Sequence, residues 1–155
     1  MMSCIEMLLE HNYAVREPII DSLRKLSGDE LRNKEKSINC RSIWDLLVHL
    51  IESERYWNSI LRDEEPQLPE EEYSDGLNSI SVAMKESEMR TREYLETFHS
   101  DTLHHVKSVR WGEQTVSFTV KKALVHLATH EIHHRGLIVG LIRQLGHEPP
   151  DVNML

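Results

Sequence analysis

Four histidines crowd one short segment, His126-Leu127-Ala128-Thr129-His130-Glu131-Ile132-His133-His134-Arg135-Gly136. Residues four apart on a helix share a face, with Cβ atoms about 5–6 Å apart. Two imidazoles at that spacing can converge on one divalent ion, with metal–nitrogen bonds of about 2.0–2.1 Å. His126 with His130, His130 with His133, and His130 with His134 are the pairs that could chelate. The helical seam Ala123, Leu127, His130, His134, Leu137, Leu141 favours the last. There His130 and His134 stand where leucines are expected, and polar groups in a core seam are costly unless something satisfies them. A metal would satisfy both.

A site of this kind usually needs a third protein ligand. His49 is the candidate, bordered by apolar residues in Trp44-Asp45-Leu46-Leu47-Val48-His49-Leu50-Ile51. It lies mid-helix, as do the two others, so packed helices can bring all three to one level. His11 is held in reserve. His130-Glu131-Ile132-His133-His134 also satisfies H-E-x-x-H literally, which leaves a metalloprotease as an alternative. Against it, no strand edge is expected to hold an extended peptide.

The elements that must position these residues are helical. A first helix is expected from Ser3 to Leu26, with Ile5, Leu8, Ile19, Leu23 and Leu26 as its apolar stripe and Pro18 as a candidate kink. Ser27 to Leu31 reads as a cap and turn, followed by an irregular polar loop to Cys40. A second helix, Ser42 to Arg62, has Ser42 as N-cap and Asp45 three residues on. Its stripe is Ile43, Leu47, Leu50, Trp57 and Leu61. Asp63 to Gly76 is acidic, holds two prolines and reads as a long crossover. A third helix spans Leu77 to Phe98, with Leu77, Ile80, Met84, Ser87, Thr91, Tyr94 and Phe98 inward. Gly112, between two short alternating runs, marks a small hairpin or extended turn. The fourth helix, Thr119 to Leu145, is stopped by Gly146. Four long amphipathic helices without a convincing sheet predict an all-α fold, a four-helix bundle.

The chain has 155 residues, enough for one domain with a sizeable core. A net charge of −8 with no basic face argues against a nucleic-acid partner. Met1 to Glu10 lacks a basic n-region and a cleavage site, and no apolar run approaches the ~20 residues a membrane span needs. A cytoplasmic protein that meets no membrane is the expectation, with Cys4 and Cys40 as reduced thiols.

His49-Leu50-Ile51-Glu52-Ser53-Glu54 and His130-Glu131-Ile132-His133-His134-Arg135-Gly136 resemble the DinB family, also called DinB/YfiT-like. Supporting matches are Leu8-Leu9-Glu10-His11-Asn12, the turn Leu26-Ser27-Gly28-Asp29-Glu30-Leu31, and the tail Leu145-Gly146-His147-Glu148-Pro149-Pro150. Together they span nearly the whole chain, residues 1–155. The resemblance implies a bundle of up-down-down-up order with a long crossover between helices two and three. It implies metal ligands at His49, His130 and His134, nickel or zinc as the occupant, and a homodimer. His133, Arg135 and Gly136 belong to the motif without being implied ligands.

Related families on this fold include bacillithiol S-transferases and mycothiol-dependent maleylpyruvate isomerase. The resemblance therefore implies a metal-dependent transferase that takes a low-molecular-weight thiol cosubstrate and a small-molecule electrophile. A non-catalytic metal-binding stress-response bundle and a metal-dependent hydrolase are the alternatives. In the enzymatic scheme Glu52 orients a ligand histidine or accepts a proton, and Asp45 competes as a partner for His49. Asn12 and Tyr13 line the open face, and Arg135 meets an anionic substrate unless it pairs with Glu131 four residues earlier.

Overall fold

The structure is a computed structural model that describes residues 2–35, 40–66 and 73–155. In chain order its elements are α1 (Met2–Leu23), α2 (Gly28–Leu31), α3 (Ile43–Arg62), α4 (Leu77–Glu96), a 3-10 turn (Ser100–His104), β1 (Val106–Trp111), β2 (Gln114–Thr119) and α5 (Val120–Gln144). The fold is mostly helical. α1 packs against α4 and α5, and α3 packs against the same two helices.

Local chemistry sets the ends of these elements. Ser42 accepts a hydrogen bond from the Asp45 amide at 3.1 Å, and the Asp45 carboxylate accepts from the Ser42 amide at 2.9 Å. This reciprocal pair satisfies two amides that an α-helix start leaves unpaired. Ser27 and Glu30 cap α2 in the same way, so the expected cap and turn is a one-turn helix. α1 continues through Pro18 but ends at Leu23, short of the expected Leu26. Asp63, in the left-handed region, caps α3. Residues 36–39 of the loop before Cys40 and 67–72 of the expected crossover lie outside the described residues.

A two-stranded antiparallel sheet departs from the all-α class and is the small hairpin expected around Gly112. β1 and β2 pair from Val106↔Thr119 to Trp111↔Gln114. Gly112 turns between them at φ +60°, where a side chain would be strained. The hairpin covers the start of α5, where Thr119 caps the helix by accepting from the Lys122 amide. At the other end Gly146 adopts φ +86° and the His147 amide bonds the Ile142 carbonyl, the expected stop.

The apolar core comes in two parts. One holds Ile19, Ile20 and Leu23 of α1, Ile43 to Ile51 of α3, Ile80 to Met84 of α4, and Ile138 to Ile142 of α5. The other holds Ile5, Leu9 and Tyr13 of α1, Trp57 and Leu61 of α3, Val109 and Phe118 of the hairpin, and Val120 to Ala128 of α5. Between them every long helix contributes buried polar side chains: Asn12 and Arg16, Glu54 and Asn58, Ser87 and Thr91, Glu131 and Arg135. A polar layer thus crosses the middle of the molecule.

Candidate metal centre

His49 leaves α3 one turn and a half before Glu54 of that layer. His130 and His134 leave α5 beside Glu131 and Arg135. The Nε2 atom of His130 lies 3.2 Å from Nε2 of His49 and 3.1 Å from Nε2 of His134. One nitrogen from each of the three falls within 4.8 Å of the others, a grouping able to hold a metal ion. The rings meet at steep angles, with centroids 4.4 to 5.0 Å apart.

The donor set fits a divalent ion. Two nitrogens bound at about 2.0–2.1 Å, at angles between tetrahedral and octahedral, lie about 2.9–3.4 Å apart. The observed 3.1 and 3.2 Å separations fall inside that window. A neutral imidazole presents one N–H and one lone pair, so His130 Nε2 cannot pair well with both neighbours at once. A cation shared by three lone pairs removes the conflict. His134 Nδ1 is buried without a hydrogen-bond partner among the described residues. Its ring is held by packing against His133 and His49 rather than by the hydrogen bond that usually orients a metal-ligating histidine.

Burial pushes the His130 imidazole down to about 4, helped by the neighbouring His134 and His49. Burial lowers His134 to about 4 as well, with His49, His133 and Arg41 adding to it. His49 is lowered by burial and then by Arg41. All three are therefore neutral at pH 7, the form that binds metal. Without metal, these depressed values make the fold acid-sensitive. Below the ordinary histidine value of about 6.5 the unfolded chain takes up protons that the folded chain refuses. Stability should be full above about pH 6.5, fall as pH drops towards 4, and level off below. A His130→Asn/His134→Asn variant should lose less Tm between pH 7 and 4.5 in metal-free calorimetry. Equal losses in both proteins would place the sensitivity elsewhere.

The other expected site residues are elsewhere engaged. Glu52 is exposed and makes no hydrogen bond or ion pair among the described residues. Asp45 is committed to Ser42 and to Lys34 at 3.0 Å, not to His49. His11 Nε2 donates to the Val152 carbonyl, 3.0 Å away. His126 and His133 are exposed and flank the cluster, their rings 5.4 Å from His130 and 4.9 Å from His134. Asn12 and Tyr13 do not line an open face. Asn12 is fully buried and donates to the Ala128 carbonyl at 2.9 Å, while Tyr13 donates to Glu54 Oε1 at 3.0 Å. Arg135 is buried and donates to Asn12 Oδ1 at 2.8 Å; the Glu131 charge acts on it without a direct ion pair among the described residues.

The reason is a one-residue rotation of the seam. The buried stripe of α5 is broad, from Ala123, Leu127 and Leu141 on the expected side through Val120, Leu124, Glu131, Ile138 and Ile142 to Ala128, Arg135 and Val139. It leaves His130 and His134 half-buried at its margin, where an ion can reach them. Two residues that the sequence reading did not assign, Arg16 and Glu54, complete the layer. Arg16 donates to both oxygens of Glu131, at 2.9 and 2.6 Å, to Glu54 Oε2 at 2.6 Å, and to the Met84 carbonyl at 3.1 Å. With both oxygens held by Arg16, Glu131 is not free to act as the general base of an H-E-x-x-H protease. The signal for Arg16 and Glu54 was present. Both sit at helical spacing inside gaps of the expected apolar stripes, between Leu8 and Ile19 and between Leu50 and Trp57.

The model of the DinB family matches residues 1–155. This chain belongs to the DinB family. A curated relative, the uncharacterized protein YizA of Bacillus subtilis (strain 168), is 26% identical over 147 residues, covering 94% of this chain and 91% of the relative. The crystal structure of a DinB-like protein from Bacillus subtilis, YjoA, matches with a TM-score of 0.67 at 20% identity. That match covers 94% of this chain and 97% of the other, and it shows a shared fold. Two segments that carried the DinB resemblance meet here. His147 of the tail lies 3.0 Å from Glu30 of the Ser27–Leu31 turn, which holds the Glu30 carboxyl down to about 2. No described helix of this DinB chain is long and apolar enough to cross a membrane. Cys4 and Cys40 are exposed free thiols.

Proposed function

We propose that His49, His130 and His134 hold a divalent ion, nickel or zinc, in a metal-dependent thiol S-transferase that acts on small electrophiles. The observation that carries this reading is the convergence of three Nε2 atoms on one point, two of the separations being 3.1 and 3.2 Å. Three neutral ligands leave the ion its full charge and an open coordination position. The ion would lower the pKa of a thiol at that position, so that the thiolate is present at neutral pH. The sulfur would then form a bond to carbon as a carbon–halogen or epoxide carbon–oxygen bond breaks, with the thiol proton passing to solvent.

The chain's own residues suit this chemistry better than hydrolysis. Both oxygens of Glu131 are occupied by Arg16, and Glu52 contacts no ligand histidine. A thiol with a lowered pKa needs no such base, whereas water activation usually gains from one. Beside the site, His126 meets Trp57 at 5.1 Å between ring centres, and Trp57 meets the half-exposed Trp111 at 6.5 Å. That aromatic wall suits the apolar part of an electrophile.

The wider reading is a single cytoplasmic domain over 1–155 that works as a homodimer on a bacillithiol-type cosubstrate. Its bundle order would be up-down-down-up. The membership of the two core parts supports that order, since α1 and α5 traverse the polar layer in one sense and α3 and α4 in the other. The test is conjugation by zinc- or nickel-loaded protein of a panel of thiols with aryl halides and epoxides. Turnover that needs both metal and thiol is expected. Tight metal binding with no turnover for any thiol would leave a non-catalytic metal-binding stress protein, and ester or amide turnover without thiol would make it a hydrolase.

A further inference from the structure

The polar layer is an odd thing to place between two apolar cores. Each buried charge costs several kcal/mol of hydration, and a well-packed apolar layer often serves stability as well or better. Arg16 belongs to α1, Glu54 to α3 and Glu131 to α5. The Met84 carbonyl adds α4, as does Thr91, which donates to Glu54 Oε1 at 2.8 Å. Burial works against the Arg16 charge, but Glu54 and Glu131 hold its pKa well above the ordinary value. One guanidinium fork therefore fixes the height of α3 against α5 through short, directional contacts of 2.6 to 2.9 Å. Apolar packing alone is less strict about such sliding, because leucines repack.

The metal ligands come from those same two helices at that same level. His49 stands five residues before Glu54 on α3, and His130 stands next to Glu131 on α5. A slide of one residue along a helix axis is about 1.5 Å. It would carry His49 Nε2 out of the roughly 2.9–3.4 Å window in which two ligands share an ion. His130 and His134, on one helix, would stay together.

We infer that the Arg16–Glu54–Glu131 triad is a positioning device for the metal centre, which sets the register of α3 against α5 so that His49 completes the site. This rests on the metal reading above. It predicts that stability and metal affinity can be separated. In the variant Arg16→Met/Glu54→Leu/Glu131→Leu the three charges of the triad are replaced by apolar side chains. Its Tm should equal or exceed that of the native chain, while zinc affinity, read by competition with a chromophoric chelator, should fall about 10–100-fold, as when supports of a ligand are lost. The optical spectrum of the cobalt-loaded variant should shift towards fewer nitrogen ligands. Native-like affinity and spectrum in the folded triple variant would overturn the inference and leave the triad a purely structural role.

Should the triple variant not fold, Glu131→Gln keeps the shape and one acceptor for Arg16. A loss of about tenfold in affinity is expected there, and no loss would overturn the inference. A readout without metal separates this inference from the metal reading itself. Ring-proton contacts between His49 and His130 in NMR of the metal-free protein should weaken in the variants while those between His130 and His134 persist. A native protein that keeps these contacts yet binds no ion refutes the metal reading. Variants that keep every contact refute the positioning role.

Discussion

Replacing His130 by alanine is expected to reduce zinc or nickel affinity by more than about 100-fold, beyond the range typical of residues that merely support a ligand. His130 is the hub of the cluster, since its Nε2 is the atom that approaches both His49 and His134. Removing it leaves two imidazoles on different helices with no shared partner between them. His49→Ala should be milder, because His130 and His134 remain a chelating pair on one helix turn. His126→Ala and His133→Ala should change affinity by no more than about threefold, since both are exposed and neither belongs to the converging set. Chelator competition on the five proteins gives the ranking. A His133→Ala loss as large as that of His130→Ala would mean that a different pair holds the ion.

The candidate metal site was legible in the sequence for a reason that was only partly right. The spacing of His130 and His134 and the apolar setting of His49 picked three histidines that the structure brings within reach of one ion. The supporting argument placed His130 and His134 in the middle of the core seam, whereas they sit at its edge and Glu131 occupies the middle. Period counting tolerates a rotation of one residue, about 100° around a helix, when the flanking apolar residues are as frequent as they are in α5. The same blind spot hid Arg16 and Glu54. A charged residue on an apolar stripe reads as a gap, and only the partner on another helix shows that the gap is filled. Asn12, Tyr13 and Arg135 were singled out from motifs near the three histidines, and the structure buries all of them in the polar layer. Helix limits and caps were easier, because Ser42, Asp45 and Gly146 act through neighbours in sequence.

Arg16→Met alone should behave very differently from the triple apolar variant. It leaves Glu54 and Glu131 buried without their cation, and breaking a buried pair this way typically costs about 3–5 kcal/mol. For a chain of this size that corresponds to a Tm lower by roughly 6–20 °C, a large part of the margin of an ordinary domain. The deficit should depend on pH. Burial already raises the Glu54 pKa above the ordinary carboxylate value, with Arg16 opposing that rise. Without Arg16 the folded-state Glu54 pKa climbs further above that of the unfolded chain. The folded form then binds more protons, so acid favours it and stability falls as pH rises through the raised value. The Tm gap between native and Arg16→Met protein, measured without metal, should therefore narrow from pH 8 to pH 5.5. Adding Glu54→Leu and Glu131→Leu should close it at every pH, since no buried charge then remains in the triad. A gap that is constant across pH, and unchanged by the two further substitutions, would mean that Arg16 stabilises the fold through its packing over the Tyr13 ring rather than through its charge.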